Sequence, residues 1–222
     1  MPAPQILVIL SGCGLYDGAE IHESVISLLA LARAGAEATI AAPNIDQRHV
    51  IDHSTGEVVD ERRNVLVEAA RIARGKILDL STVSAQDYDG VFLPGGFGAA
   101  KNLCTFATEG ADCSIQPEVQ RVLQEFHAAS KPIGAVCIAP AVVVRALGGV
   151  CVTIGSDPGT ASALEAMGGS HITQAVTECH VDTASRVVTA PAYMVETSID
   201  QVALGIEAAV CAVLELTEHQ SG

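Results

Sequence analysis

No cysteine pair in this chain has the spacing of a metal or redox motif. Seven cysteines are scattered over 222 residues, and none forms a CxxC. An odd count without paired spacing excludes the disulfide framework of small secreted domains and fits reduced thiols. Basic residues are scarce as well. Twelve Lys and Arg against 26 Asp and Glu give a formal net charge of −14, which sets the chain against nucleic acid or an anionic membrane surface, both polyanions. No apolar run approaches the ~18 residues that span a bilayer. The opening Met1-Pro2-Ala3-Pro4 lacks the basic region of a signal peptide. These absences lead to the expectation of a soluble cytoplasmic protein. Charged residues make up only 17% against 49% apolar, ample for a sizeable core and unlike a disordered chain. No repeat, low-complexity tract or linker interrupts the sequence, so one domain over 1–222 is expected.

The segments that are present alternate between strand and helix. Residues 6–10 (Ile-Leu-Val-Ile-Leu) are continuously apolar, as in a parallel strand buried on both faces. A helix is expected over 19–34, with Ile21, Val25, Leu28, Leu29 and Ala32 as its apolar stripe and Gly35 as its stop. A second strand follows at 37–42, and the βαβ opening points to a doubly wound α/β sheet. The polar stretch 44–89, with a helix at 61–74, reads as an insertion on that core. Further strands are expected at 90–93, 133–136 and 150–154, and helices at 115–129, 141–147 and 159–167. A hairpin is expected over 176–189, and a long closing helix begins near Ile199.

Chemistry concentrates at three places where strands end. The most informative is Lys131-Pro132-Ile133-Gly134-Ala135-Val136-Cys137-Ile138-Ala139-Pro140, an apolar run cut short by a cysteine with a helix straight after it. That is the layout of a nucleophile elbow. A helix N-terminus beneath the sulfur favours thiolate, while a buried structural cysteine is the competing reading. The other two ends are Ser11-Gly12-Cys13-Gly14 and Pro94-Gly95-Gly96. The amides of Gly95, Gly96 and Ile138 are expected to form an oxyanion hole, with Gly12 beside the substrate. As a phosphate loop, 95–102 fails, because Ala100 and Asn102 replace the required glycine and hydroxyl. Glu20 and Glu23 share a face of the first helical turn. They are either ordinary dipole partners or, close to Cys137 in a dry pocket, proton carriers with raised pKa. Among histidines, His180 is a weak candidate partner for the thiol, while His171 sits by a turn and His219 in the tail. His49 and His53 have i, i+4 spacing but no third ligand, so no metal site is expected.

With these residues in place, the chain resembles the PfpI-type, class I glutamine amidotransferase-like superfamily. Within it, the resemblance is to the ElbB group, the enhancing lycopene or isoprenoid biosynthesis proteins with an amidotransferase-like domain. The matching segments include 9–14, Asp17-Gly18, Glu20-Ile21-His22-Glu23 and 63–66. Others are 68–72, Pro94-Gly95-Gly96-Phe97-Gly98-Ala99-Ala100-Lys101-Asn102-Leu103, Cys137-Ile138-Ala139-Pro140 and Pro191-Ala192-Tyr193-Met194. The resemblance implies a flavodoxin-like three-layer α/β sandwich with a mostly parallel central sheet, a homodimer, and no cofactor. It implies Cys137 as the elbow cysteine, Glu23 as the glutamate that contacts it, Glu20 as the second acidic position, and Gly95, Gly96 and Ile138 as the oxyanion-hole backbone. Protease-like members carry a histidine where Ile138 stands, and true amidotransferases carry a late His and Glu two residues apart, which this chain lacks. Some relatives place a histidine near Ser156-Asp157, making Asp157 a minor candidate. The implied activity is a glutathione-independent glyoxalase-type lyase acting on small dicarbonyls, with a cysteine redox sensor or a stress-linked chaperone as the alternative.

Overall fold

The computed structural model describes residues 2–218. In chain order it forms β1 (Gln5–Ile9), α1 (Ile21–Arg33), β2 (Glu37–Ala42), β3 (Ile51–Asp52), β4 (Glu57–Val58), α2 (Val65–Ile72) and β5 (Leu78–Asp79). β6 (Gly90–Leu93), a π-helical turn at Ala99–Leu103, α3 (Phe106–Glu109), α4 (Pro117–Ala128), β7 (Ile133–Val136) and α5 (Pro140–Leu147) follow. β8 (Cys151–Val152), α6 (Pro158–Ala166), β9 (Ser170–His171), β10 (His180–Asp182), β11 (Val187–Ala190) and α7 (Ile199–Glu218) complete it.

Seven strands form one sheet in the order β10-β11-β7-β6-β1-β2-β5, parallel throughout except for β10. The apolar runs expected to be buried on both faces are so: Ile6, Leu7, Val8 and Ile9 are all inaccessible. Leu7 and Ile9 join a core on one face that includes Leu123, Phe126 and Val142, contributed by α4 and α5. Ile6 and Val8 join the opposite core with Leu31, Ile206 and Val210 from α1 and α7. The result is the flavodoxin-like three-layer sandwich. Among the described residues, no helix is long and apolar enough to cross a membrane.

Three local expectations change. The stripe assigned to the buried face of α1 points outward: Ile21, Val25 and Leu29 are 44%, 50% and 45% exposed. The inward face carries Glu23, Ser24, Ser27, Ala30 and Leu31. Small residues let α1 lie close to its neighbours, and the Ser24 and Ser27 hydroxyls donate to the Glu20 and Glu23 carbonyls, both at 2.6 Å. Strand β8 does not join the main sheet but pairs in parallel with β9. It is tied to the main sheet by side chains, through Cys151 N–H to Asp182 Oδ2 at 2.9 Å and Thr153 N–H to Thr189 Oγ1 at 2.8 Å. Finally, 44–89 is only partly an excursion. β5 pairs in parallel with β2 as the sheet's edge, with α2 as the crossover. What stands apart is the stretch closed by the Asp46–Asn64 bridge and carrying the β3–β4 hairpin.

Candidate functional site

β7 ends in a turn that holds Cys137 at φ +60°, a left-handed conformation that costs a residue with a side chain about 1–2 kcal/mol. The Cys137 N–H donates to the Ala190 carbonyl at 3.0 Å, pinning the turn to β11 beside it. Opposite, Gly95 passes so near that a Cβ there would sit 2.4 Å from the Cys137 Cβ and 3.0 Å from its sulfur. Only glycine permits that approach. The backbone N–H groups of Gly96 and Ile138 are both directed at the sulfur.

Glu23, in the first turn of α1, meets this cysteine from across the sheet end. It is completely buried. Its Oε2 accepts the Gly95 N–H at 2.8 Å, its Oε1 accepts the Tyr193 N–H at 3.2 Å, and the carboxyl is hydrogen-bonded to the Cys137 thiol. Burial, and then the charge of Glu20, push the Glu23 carboxyl up to about 7 against the pull of those donors. Burial first, and then the charge of Glu23, push the Cys137 thiol well above its ordinary value, while the Gly96 and Ile138 amides draw it down. Burial thus works against the thiolate that the helix N-terminus was expected to favour. Burial is the largest influence on the thiol, and the Glu23 charge adds to it.

Glu20 shares the turn but serves as the helix cap. Its Oε2 accepts the Glu23 N–H at 2.6 Å, and its own N–H donates to the Gly95 carbonyl at 3.0 Å. It reaches the pair through charge and by holding Gly95. The Gly95 amide is likewise not free for an oxyanion, because Glu23 takes it; Gly96 and Ile138 keep theirs at the sulfur. Gly12 lies outside this cluster. At φ +115° it packs on Gly18, whose Cα would be 3.1 Å from an added Cβ. His180 is on the edge strand β10, its Nε2 buried without a partner, and does not line the cavity over the sulfur. Asp157 does line the cavity, but its carboxylate caps α6 by accepting the Thr160 N–H at 2.7 Å. His219 lies outside the described residues.

His53, one of the two spaced histidines, has a different task. His53 Nδ1 is 3.1 Å from the Ile51 carbonyl and Nε2 accepts the Tyr16 N–H at 3.1 Å, which assigns the proton to Nδ1. Asp17 accepts the Ile51 N–H at 2.8 Å. Buried Asn102 donates to the Ser11 and Asp17 carbonyls, both at 2.9 Å, and accepts the Arg48 N–H at 3.0 Å. These bonds fasten the hairpin to the loop that leads into α1. Sequence reasoning did not assign Tyr193, Asp17 or Asn102 a role, although each lies in a segment that carried the resemblance. Tyr193 is set by Ala192 at φ +44°, and its hydroxyl lies 2.9 Å from His22 Nδ1.

A cavity of about 470 Å³ opens over the sulfur, with Gly96, Cys137 and Ile138 at its floor. The arrangement can hold a carbonyl carbon against the sulfur, place its oxygen near two amides, and move a proton on and off through Glu23.

Comparison with known proteins agrees with this architecture. The human mitochondrial glutamine amidotransferase-like class 1 domain-containing protein 3 is 52% identical over 226 residues, covering 97% of this chain and 84% of that protein. A solved isoprenoid biosynthesis protein with an amidotransferase-like domain from Ehrlichia chaffeensis is 39% identical, with a TM-score of 0.89 over 95% of this chain and 99% of that one. Glyoxalase III from Candida albicans shares the fold, with a TM-score of 0.62 at 15% identity over 95% and 97% of the two chains. The curated relatives, from human and rat, are mitochondrial proteins, which overturns the expectation of a cytoplasmic protein. That expectation rested on generic absences, which do not distinguish compartments. The model of the DJ-1/PfpI family matches residues 9–200, and with it the elbow and the parallel sheet place the chain: it belongs to the DJ-1/PfpI family, within the class I glutamine amidotransferase-like superfamily.

Proposed function

We propose that this protein is a cofactor-independent glyoxalase-like enzyme, converting small dicarbonyls such as glyoxal or methylglyoxal to the 2-hydroxy acid. The observation that carries the reading is the fully buried Glu23 carboxyl set against the Cys137 thiol, its Oε2 held by the Gly95 N–H at 2.8 Å, with the Gly96 and Ile138 amides on the same sulfur. Glu23 as carboxylate takes the thiol proton as sulfur adds to the aldehyde, and returns it to the aldehyde oxygen to give a hemithioacetal. Glu23 then removes the hydrogen on that carbon. The resulting enediol is reprotonated on the adjacent carbon, leaving a thioester of the 2-hydroxy acid, which water cleaves to acid and free thiol. The amides of Gly96 and Ile138 steady the oxyanion in the first and last steps.

The Candida glyoxalase III is similar in fold only and lends its name, not its residues. The redox-sensor alternative is less well supported, since a thiol pushed upward by burial is a slow reductant of peroxide. A homodimer is part of the same reading, with Ile21, Val25 and Leu29, exposed along α1, as the contact surface between copies. The deciding experiment is glyoxal and methylglyoxal consumption without glutathione by wild type and Cys137→Ala. Turnover to glycolate or lactate that vanishes in the variant supports the reading. Equal rates in the two proteins would remove it.

A further inference from the structure

The cavity over Cys137 is larger and more apolar than a glyoxal-sized molecule needs. At about 470 Å³ it falls among pockets of roughly 300–1,000 Å³ that enclose drug-sized ligands. Glyoxal or methylglyoxal displaces only a few waters, at about 30 Å³ each. Beyond the reacting floor one side of the wall is apolar, formed by Leu15, Phe97, Phe106, Ala107 and Met194, while Asp157, Thr160 and Tyr193 supply the polar part, and among the described residues no Lys or Arg lines it. Lys101 stands over the Phe97 ring, its Nζ 5.2 Å from the ring centre, but does not enter the lining, and its Nζ is bonded to the Tyr16 carbonyl at 2.8 Å. Leu15 and Phe97 stay 37% and 46% exposed at the mouth. Large apolar side chains left bare around a concavity mark a surface that a ligand covers. An anionic aldehyde would find no cation in the lining, and would meet Asp157 there and a chain of net charge −14.

We propose that the site selects neutral α-oxoaldehydes carrying an aryl or branched alkyl group, the tail lying against Leu15, Phe97 and Phe106 while the aldehyde meets Cys137. This rests on the glyoxalase reading and specifies its substrate class. The covalent steps and their proton balance are those given above, with water as the only co-reactant.

The test compares kcat/KM for phenylglyoxal and methylglyoxal in wild type and Phe106→Ser, with Leu15→Ser as the second variant in case Phe106→Ser does not fold. The expected result is a preference of at least about tenfold for phenylglyoxal that shrinks severalfold in the variant. A separate readout is Cys137 alkylation by N-benzyl iodoacetamide, iodoacetamide and iodoacetate, each corrected for its rate with free cysteine. The benzyl reagent is expected to be fastest and iodoacetate slowest. Turnover without a phenylglyoxal preference overturns the proposal and leaves the glyoxalase reading standing. Absence of all dicarbonyl turnover retires that reading, and the alkylation ratio then decides the cavity's selectivity: equal corrected rates overturn it.

Discussion

The two walls of the cavity are built on opposite plans. The floor of Gly96, Cys137 and Ile138, backed by Gly95 and Glu23, is tightly closed, with side chains below van der Waals distance of any Cβ added at Gly95 and backbone below it at Gly96, and rich in directed N–H groups. The outer wall of Leu15, Phe97 and Phe106 is half-exposed side chain with no hydrogen bond asked of it. On the floor a displacement of a fraction of an ångström changes which proton sits where. On the outer wall the same displacement changes only how much apolar surface a ligand can cover. Chemistry and selectivity are thus carried by different kinds of structure, and substitutions in the two walls should fail differently.

The sharpest way to break that contrast is Glu23→Gln. Loss of the base is expected to lower dicarbonyl turnover by about 10²–10⁴-fold while the fold persists. Removing the neighbouring charge should also bring the Cys137 thiol down toward its ordinary range, measurable as thiolate absorbance against pH. A variant at full rate would remove Glu23 from the mechanism. Next comes Gly95→Ala, whose methyl must push Cys137 or Glu23 aside. About a hundredfold loss in kcat is expected from a misplacement of this kind, with the apolar alkylation preference of the outer wall retained.

A pH series sharpens the same point. Glu23 must be ionised to accept the thiol proton, so kcat/KM should rise with pH through about 7, and the limb should disappear in Glu23→Gln. Stability moves the other way. The folded carboxyl is raised from 4.5 to about 7, so the folded state holds this proton more tightly than the unfolded chain. The pH-dependent cost of burying Glu23 is therefore absent below about 4.5 and grows progressively until pH exceeds 7. Between pH 5 and 8 wild type should lose stability relative to Glu23→Gln, by on the order of 3 kcal/mol at most, read from denaturant midpoints at each pH. The smallest effect belongs to the outer wall: Leu15→Ser should change stability by less than about 0.5 kcal/mol.

Much of this organisation was legible from the residues. Uninterrupted runs such as Ile6-Leu7-Val8-Ile9 announce central parallel strands, and Cys137 between an apolar run and Pro140 announces the elbow. Position brought Glu20 and Glu23 together to the sheet end near Cys137 as candidates for a raised pKa, and only the family resemblance singled out Glu23 as the one at the thiol. What pattern could not supply is which of two faces a helix buries when the inward one is small and polar, as in α1, where Ser24 and Ser27 satisfy themselves on their own backbone. Nor could it recover two-residue strands such as β5, too short to show any period, or that the strand expected at 150–154 pairs with β9 and not with the main sheet. The assignment of the Gly95 amide to Glu23 instead of an oxyanion is likewise invisible, because it depends on a contact between residues 72 positions apart.

The hairpin carrying β3 and β4 gains a second meaning from its bonds to Asp17, Tyr16 and Asn102. Surface excursions are usually where a lineage experiments with length, since little depends on them. Here the excursion grips the loop that sets the start of α1, so a deletion or register slip between residues 46 and 64 is transmitted to Glu23 and the sulfur. This part of the surface is therefore closed to casual variation, and a descendant that trims it must also rebuild the approach to its own reactive group.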